Sequence, residues 1–279
     1  MQGQIVKIIS DLHYVISDNN LYPCKCRGIF RKEHITPLVG DYVSFSKEKN
    51  LIEKVLPRKN EFKRPRVSNI DQAFIITSLI EPNFSLNLLD KLLVVMELHN
   101  VDAIICITKE DLVTEEQLQY YYEILDYYKK IGYRVVSNQD IDIIRKLLKD
   151  KTSVFTGQTG AGKSTLLNRL NPLWDLKTGE ISLALGRGRH TTRVVELFEA
   201  FGGKVMDTPG FSAIDFDGYS KEQIRNSFVE FDDYVCPFKN CSHTKEVKCS
   251  VKSAVLDNNI LESRYNNYLN FIEEDINEN

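Results

Sequence analysis

A glycine-rich segment near the middle of the chain constrains the fold more than any other feature. Gly157-Gln158-Thr159-Gly160-Ala161-Gly162-Lys163-Ser164 matches the pattern G-x-x-x-x-G-K-[ST] of a phosphate-binding loop. A β-prone run precedes it and a helical pattern from Thr165 to Leu170 follows, which is the context this loop requires. Glycines let the backbone wrap around phosphates with its N–H groups turned inward. The sequence therefore predicts a nucleoside triphosphate site on an α/β domain.

The loop and a later segment together predict a magnesium site. Lys163 is expected to reach the β- and γ-phosphates, and Ser164 to bind Mg²⁺. The segment Asp207-Thr208-Pro209-Gly210 has the form D-x-P-G of a second switch, in which Asp207 could hold Mg²⁺ through water and the Gly210 N–H could contact the γ-phosphate. Read alone it is an ordinary β-turn. Its position about 45 residues after the phosphate loop favours the switch.

The segment Thr108-Lys109-Glu110-Asp111 is interpreted as the part of the site that reads the base. It follows an uninterrupted apolar run, which is typical of a parallel strand buried on both faces. Asp111 can accept hydrogen bonds from the N1–H and exocyclic amine of guanine, while Lys109 lays its stem over the base. Adenine lacks that pair of donors, so GTP is predicted over ATP. The usual form is N-K-x-D, and the hydroxyl of Thr108 replaces only some of the bonds of an Asn amide.

The order of these segments is reversed relative to ordinary GTPases, in which the phosphate loop comes first. Here the base-reading segment precedes Gly157 by more than forty residues, so the domain is expected to be circularly permuted. Apolar strand-like runs alternate with helical patterns, which predicts a mostly parallel sheet. The helical patterns cover residues 86–99, 114–131 and 141–148. Ser137-Asn138, after the strand before the last of these helices, is a weaker candidate for a further base contact.

The first 66 residues differ from the rest in pattern and in charge. Short β-prone runs separated by turn formers predict a small barrel, with the OB-fold first and an SH3-like barrel second. This part holds thirteen Lys and Arg against seven Asp and Glu, although the whole chain has a net charge of -3. The basic residues are densest from Arg58 to Arg66, which is either a contact surface for a phosphate backbone or a solvated linker.

Three thiols and one imidazole lie close together near the C-terminus, in the spacing Cys236-x4-Cys241-x-His243-x5-Cys249. Zn²⁺ prefers four such ligands in a tetrahedron, and a loop too short to bury a core gains folding energy from the metal. Four protein ligands leave no open coordination position, so one structural zinc is predicted. A disulfide pair and scattered buried cysteines are the competing interpretations. Cys24, Cys26 and Cys106 are interpreted as plain thiols.

Taken in order, these motifs resemble the RsgA family of GTPases that depend on the small ribosomal subunit. The resemblance also includes Gly188-Arg189-His190-Thr191-Thr192 and Phe211, and it extends from Gly40-Asp41-Tyr42-Val43 in the barrel to the last cysteine. It implies a GTPase that binds GTP and GDP, with the small ribosomal subunit and its rRNA as partners. It also implies the same four zinc ligands.

Hydrolysis requires a positioned water, commonly oriented by a Gln after the second-switch glycine, but Phe211 stands there. An apolar side chain cannot orient water, so His190 becomes the nearest catalytic candidate. Thr191 or Thr192 would complete the Mg²⁺ shell, and the neighbouring Arg193 favours Thr192. A P-loop ATPase or kinase, and an RNA-binding protein gated by nucleotide with little catalysis, remain as alternatives.

The sequence divides into three expected domains: an OB-fold RNA-binding barrel at 1–66, a permuted GTPase domain at 67–230 and a zinc-binding domain at 231–279. No run approaches the roughly 20 apolar residues that span a membrane, and the N-terminus has no apolar leader. We expect a cytoplasmic monomer. Barrel and zinc domain are expected to hold the small subunit, with GTP favouring binding and hydrolysis favouring release.

Overall fold

The N-terminal strands close into a small barrel. The computed structural model describes residues 1–172, 195–207, 216 and 218–274. Five strands and one short helix form the barrel: β1 (Gln2–Ile9), β2 (Leu12–Ser17), β3 (Asn20–Cys26), α1 (Ile29–Lys32), β4 (Tyr42–Ser46) and β5 (Leu51–Val55). Their order is β1-β2-β3-β5-β4, and β4 pairs back onto β1, so the sheet closes on itself. A five-stranded barrel with a helix between the third and fourth strands confirms the predicted OB-fold.

The basic segment after the barrel is docked onto the protein at its start. Arg58 donates from Nε to Asp41 Oδ1 at 2.7 Å and from one terminal nitrogen to Asp41 Oδ2 at 2.8 Å, and Asp41 is fully buried. Lys59 pairs with Asp71 at 2.9 Å. A two-stranded ribbon follows, β6 (Glu61–Phe62) with β7 (Val67–Ser68). The first two basic side chains therefore hold barrel and following domain together, whereas Lys63 and Arg66 are exposed.

The second part is an α/β domain with a mostly parallel sheet, as predicted. Its elements are β8 (Gln72–Ser78), α2 (Leu86–Leu98), β9 (Asp102–Thr108), α3 (Glu115–Lys130), β10 (Arg134–Ser137), α4 (Ile141–Leu148), β11 (Thr152–Gly157), α5 (Lys163–Leu170), β12 (Glu196–Ala200) and β13 (Gly203–Asp207). The order is β10-β9-β8-β11-β13-β12, with only β12 antiparallel to its neighbour. Parallel strands end at one edge, where ligands bind in such sheets.

Strands β8, β9 and β11 lie in the centre of the sheet and are almost continuously buried, because helices cover both faces. The apolar runs read from the sequence are therefore strands of the type expected. Beyond β12 the sheet continues into the barrel, since Lys7 of β1 lies opposite Glu196 and the two side chains form an ion pair at 3.1 Å. Barrel and α/β domain thus share one eleven-stranded sheet.

Helices and loops form the C-terminal part. The helices are α6 (Lys221–Asn226), α7 (Ser250–Leu256) and α8 (Glu262–Glu274), with a short 3-10 helix at Val229–Asp233. Helix α8 packs on α2 and α6, and its Tyr268 and Phe271 are buried in the same apolar core as α2. Among the described helices, none is both long and apolar enough to span a bilayer.

Candidate nucleotide-binding and metal sites

The predicted phosphate loop joins β11 to α5 at the carboxyl edge of the sheet. Gly157 ends the strand at a φ of +143°, and a Cβ there would lie 2.1 Å from the carbonyl oxygen of Ile76 on β8. Gly162 caps α5 in a left-handed conformation, with a φ of +98°. Both positions require glycine, one for close approach and one for its backbone conformation. The helix begins at Lys163, so its first N–H groups face the predicted phosphate site.

The base-reading segment lies directly against this loop, although it precedes Gly157 by more than forty residues. Thr108 ends β9 and is 1% exposed, and its hydroxyl donates to the carbonyl oxygen of Ala161 at 2.6 Å. A Cβ on Gly162 would lie 3.5 Å from Thr108 Oγ1. The threonine that replaces the usual Asn therefore makes the bridging bond that its hydroxyl permits.

Lys109 and Asp111 follow at the entrance of the site. Lys109 has a φ of +62° and precedes a short 3-10 helix, Glu110–Leu112, and its ammonium donates to the carbonyl oxygen of Glu81. The Asp111 side chain is exposed, so its carboxylate is accessible to a base. Pro82, next to Glu81, has its Cδ 3.7 Å from where a Cβ on Gly160 would lie. The turn after β8 therefore lies beside the phosphate loop and contacts the base-reading segment.

The structure also brings Ser137 and Asn138 to this edge. Asn138 is 7% exposed, and its N–H donates to the carbonyl oxygen of Ile107 at 2.8 Å, which continues the pairing of β9 with β10. Arg169 on α5 donates to the carbonyl oxygen of Asn138 at 3.3 Å and to Gln139 Oε1 at 2.7 Å. The helix that follows the phosphate loop therefore holds the turn after β10 in place.

The four predicted metal ligands form one cluster. Their ligand atoms all lie within 4.8 Å of one another. Cys236 Sγ is 3.8 Å from Cys249 Sγ and 3.5 Å from His243 Nδ1, and His243 Nδ1 is 3.3 Å from Cys249 Sγ. Zn–S bonds of about 2.3 Å in a tetrahedron place two sulfurs about 3.8 Å apart. The donor set and its spacing therefore fit a tetrahedral Zn²⁺.

Tyrosines of α8 attach this cluster to the rest of the protein. The hydroxyl of Tyr265 donates to the carbonyl oxygen of His243 at 2.7 Å, and that of Tyr268 donates to the carbonyl oxygen of Ser242. The ring of Phe231 meets the His243 imidazole edge-on, with centroids 5.3 Å apart. A metal held by the loop would thus be anchored against α8 and the 3-10 helix before α7.

Comparison with known proteins decides the family. A family model described as RsgA GTPase matches residues 55–217, and one described as RsgA N-terminal domain matches residues 2–51. "Small ribosomal subunit biogenesis GTPase RsgA 2" of Oceanobacillus iheyensis is 47% identical over 98% of this chain and 97% of that protein. The RsgA of Latilactobacillus sakei is 45% identical over 96% and 94%. The chain belongs to the RsgA GTPase family.

Two solved structures show the same arrangement. YloQ, described as a circularly permuted GTPase, is 37% identical with a TM-score of 0.81, over 98% of this chain and 94% of that one. YjeQ from Thermotoga maritima is 32% identical with a TM-score of 0.86, over 100% and 99%. The predicted circular permutation and the resemblance to RsgA proteins are both confirmed.

Sequence reasoning missed three parts of the site in this RsgA-family chain. Arg169 donates to the carbonyl oxygen of Asn138, and the hydroxyl of Tyr122 donates to the Glu110 carboxylate. Pro82 lies beside Gly160 of the phosphate loop. Pro82 lies four residues beyond Ser78, the end of the buried strand β8, at the edge where ligands bind, and that position was the available signal. Arg169 and Tyr122 lie on helices, and their spacing in the sequence did not predict the contacts that they make.

Some predicted residues lie outside the described part of the chain. These are His190, Thr191, Thr192, Gly210 and the side chain of Asp207, together with Gly188, Arg189, Arg193 and Phe211. The backbone of Asp207 is described, and it ends β13 beside β11 at the carboxyl edge. The second-switch segment therefore starts at the same edge of the sheet as the phosphate loop.

Proposed function

We propose that this protein hydrolyses GTP as a late-stage assembly factor of the small ribosomal subunit. It binds rRNA in the GTP state and is released when GTP is hydrolysed. Membership of the RsgA GTPase family supports the reaction, and the relatives named small ribosomal subunit biogenesis GTPases support the partner. The protein acts in the cytoplasm, as a monomer.

One observation carries the choice of guanine: the hydrogen bond from Thr108 to Ala161. It joins the end of β9 to the phosphate loop, so a nucleotide whose phosphates lie in that loop has its base beside Lys109 and Asp111. Asp111 is exposed and can accept from both donors of guanine. An adenine base would leave that carboxylate unpaired, which costs binding free energy.

The phosphate loop holds the triphosphate through backbone donors and one ammonium group. The residues we assign to phosphate and Mg²⁺ binding are Gly157, Gln158, Thr159, Gly160, Ala161, Gly162, Lys163, Ser164 and Thr165, with Asp207 and Gly210 from the second switch. Bound Mg²⁺ would neutralise charge on the phosphate oxygens. Lys163 would complement the β- and γ-phosphates, and the hydroxyls of Ser164 and Thr192 would hold Mg²⁺.

We assign recognition of the base to Thr108, Lys109, Glu110, Asp111, Ser137 and Asn138. The attacking water is oriented by His190 with the first-switch threonines, Thr191 and Thr192, beside it. An imidazole can accept a proton from water, which the phenyl ring of Phe211 cannot. These assignments rest on the order of motifs, since the first switch lies outside the described residues.

Cys236, Cys241, His243 and Cys249 hold one structural Zn²⁺ in this proposal. The spacing of their ligand atoms supports four-coordinate binding with no position left for substrate. The zinc loop then serves as a rigid surface and takes no part in hydrolysis. Its attachment to α8, and the packing of α8 on α2, connect it to the GTPase domain.

GTP turnover with and without purified small ribosomal subunits tests the proposal. We expect stimulation by the subunit, loss of turnover in Lys163→Ala, and competition by GDP but not by ADP. Turnover that the subunit does not stimulate would leave a binding switch with little catalysis. Stronger competition by ADP than by GDP would instead indicate a P-loop ATPase or kinase, and would remove Asp111 from its role.

A further inference from the structure

Glu110 is the variable third residue of the base-reading segment, and both oxygens of its carboxylate accept hydrogen bonds. One oxygen, Oε1, accepts from the hydroxyl of Tyr122 on α3, and the other, Oε2, accepts from the hydroxyl of Ser137 at the end of β10. All three side chains are half-buried. One side chain therefore connects the turn after β9, the helix that follows it and the turn after β10.

Tyr122 is a fixed point in this arrangement because the start of α3 is firmly set. A capping box begins the helix: Thr114 Oγ1 accepts from the N–H of Gln117 at 3.3 Å, and Gln117 Oε1 accepts from the N–H of Thr114 at 3.0 Å. Leu125, one turn further along α3, is fully buried in the core. The helix therefore presents Tyr122 to Glu110 from a rigid backbone.

Ser137 is equally constrained on the other side. Its N–H donates to Asp140 Oδ2 at 3.0 Å, and its hydroxyl oxygen accepts from the N–H of Gln139 at 3.1 Å. The Ser137 hydroxyl therefore accepts a hydrogen bond inside its own turn and donates its proton to Glu110. Hydrogen bonds to an ionised carboxylate are stronger than those between neutral groups, so the bridge is worth more than two ordinary contacts.

We infer that Glu110 is a positioning residue for base recognition: held by Tyr122 and Ser137, it fixes the turn carrying Lys109 and Asp111 against the turn of Ser137 and Asn138. The inference rests on the proposed function, because it presupposes a guanine base at Asp111. In this role Glu110 acts on base recognition through Asp111. It sets the position of the neighbouring carboxylate, on which discrimination of the exocyclic amine depends.

The protonation state of Tyr122 is consistent with this role. The hydrogen bond to Glu110, together with burial, raises the pKa of Tyr122 to about 12. The phenol therefore keeps its proton at neutral pH and can donate it to Glu110.

The test compares binding of GDP and IDP by calorimetry, using the full-length protein. IDP lacks the exocyclic amine, so the ratio of the two affinities reports on Asp111, whereas general destabilisation lowers both affinities together. We expect Glu110→Ala to weaken GDP binding about tenfold, the loss that follows from one displaced hydrogen bond to a charged group. IDP binding should fall by about threefold or less.

Four further variants make the experiment specific. Tyr122→Phe should reproduce a weaker form of the same change in ratio, and Tyr120→Phe on the exposed face of the same helix is its matched control. Glu110→Gln should retain most discrimination, since an amide can accept from Tyr122 and donate to the Ser137 oxygen. Glu116→Ala, which removes an exposed carboxylate of α3, controls for the loss of charge.

The outcomes separate the inference from the proposed function. If wild-type protein does not prefer GDP over ADP, the proposed function fails. If it does, but Glu110→Ala and Tyr122→Phe keep the wild-type ratio of GDP to IDP affinity, the positioning role is wrong and the bridge is only structural. A Glu110→Gln variant as defective as Glu110→Ala would also overturn the role assigned to the two hydrogen bonds.

Discussion

Arg264 on α8 and Asp90 on α2 form an ion pair with 2.7 Å between nitrogen and oxygen, and neither side chain is exposed to solvent. Glu230 accepts from the same guanidinium at 3.0 Å, and the hydroxyl of Tyr128 and the amide of Asn267 donate to Asp90 at 2.6 Å and 2.7 Å. The buried guanidinium is therefore paired with two carboxylates, and the oxygens of Asp90 also accept hydrogen bonds from neutral groups. This network attaches the helix that supports the zinc loop to the GTPase domain.

Breaking this network should be costly, because one removed partner leaves uncompensated buried charge. We predict that Arg264→Ala lowers the free energy of unfolding by about 3–5 kcal/mol. Urea denaturation followed by circular dichroism measures the change. The control is Lys25→Ala, whose pair with Asp11 at 3.4 Å is two-thirds exposed and should contribute less than about 1 kcal/mol. A cost for Arg264→Ala similar to that of the control would contradict the structural role.

Removing the hydroxyl of Thr108 should separate the two halves of the nucleotide site. In Thr108→Val the shape is kept, but the buried carbonyl of Ala161 loses its donor, at a cost of about 1–3 kcal/mol. We expect the GDP dissociation constant to rise about tenfold. Thr108→Ser retains the hydroxyl and should bind GDP nearly as the wild type does. Calorimetric titration of the three proteins decides, and equal affinity for Val and Ser variants would argue against the bridge.

Replacement of His190 tests the catalytic assignment made from sequence. We predict that His190→Ala lowers the rate of GTP hydrolysis by about 10²–10⁴-fold, the range for loss of a general base, with GTP affinity nearly intact. Phosphate release and nucleotide binding are measured separately. His34→Ala, an exposed histidine in the barrel, serves as the control. Unchanged turnover would remove His190 from the mechanism.

His99 should make stability depend on pH. Its ring stacks on Phe62 with centroids 3.9 Å apart, Nδ1 lies 2.8 Å from the carbonyl oxygen of Val95, and Nε2 lies 3.0 Å from the hydroxyl of Tyr219. A carbonyl can only accept, so the neutral ring carries its proton on Nδ1. Burial lowers the pKa of His99 below 6.5.

The lowered pKa of His99 sets the direction in which stability changes with pH. Below about pH 6.5 the unfolded chain binds a proton that the folded protein does not, so stability falls as pH drops from 6.5 through the lowered pKa. We predict that wild-type protein loses about 1 kcal/mol more than His99→Gln between pH 8 and pH 5.5. Urea denaturation at both pH values measures the difference, since the other histidines are the same in both proteins. Parallel losses would show that His99 does not carry this dependence.

The sequence predicted the parts of the fold that depend on local pattern. The helix expected over 141–148 has those bounds, and the apolar runs before Thr108 and Gly157 are buried strands, because period and flanking turns are properties of a short segment. The order of motifs was sufficient to predict the permutation and the family.

Contacts between distant elements were not predictable in the same way. Asp90 and Arg264 are separated by 174 residues, and only the packing of α8 on α2 brings them together. The basic segment at Arg58 was open to two interpretations, because charge density does not reveal that a buried Asp41 binds its first residue. Likewise, Glu110 occupies a variable position in its motif, and its partners lie on other elements.

Loss of one zinc ligand should unfold the C-terminal loop while the rest of the protein stays folded. Cys241 is buried in the cluster, and a loop with so few apolar residues gains its folding energy from the metal. We predict about one zinc per chain in wild-type protein and almost none in Cys241→Ser, measured by atomic emission after dialysis.

Cys26→Ser is the matched control, because Cys26 is half-buried in the barrel beside His13, at 3.5 Å, and away from the cluster. In Cys241→Ser, Tyr265 and Tyr268 lose the ordered loop whose carbonyl oxygens accept from them, so proteolysis should cut between residues 235 and 250. A Cys241→Ser protein that keeps its zinc and resists proteolysis there would exclude this residue as a ligand.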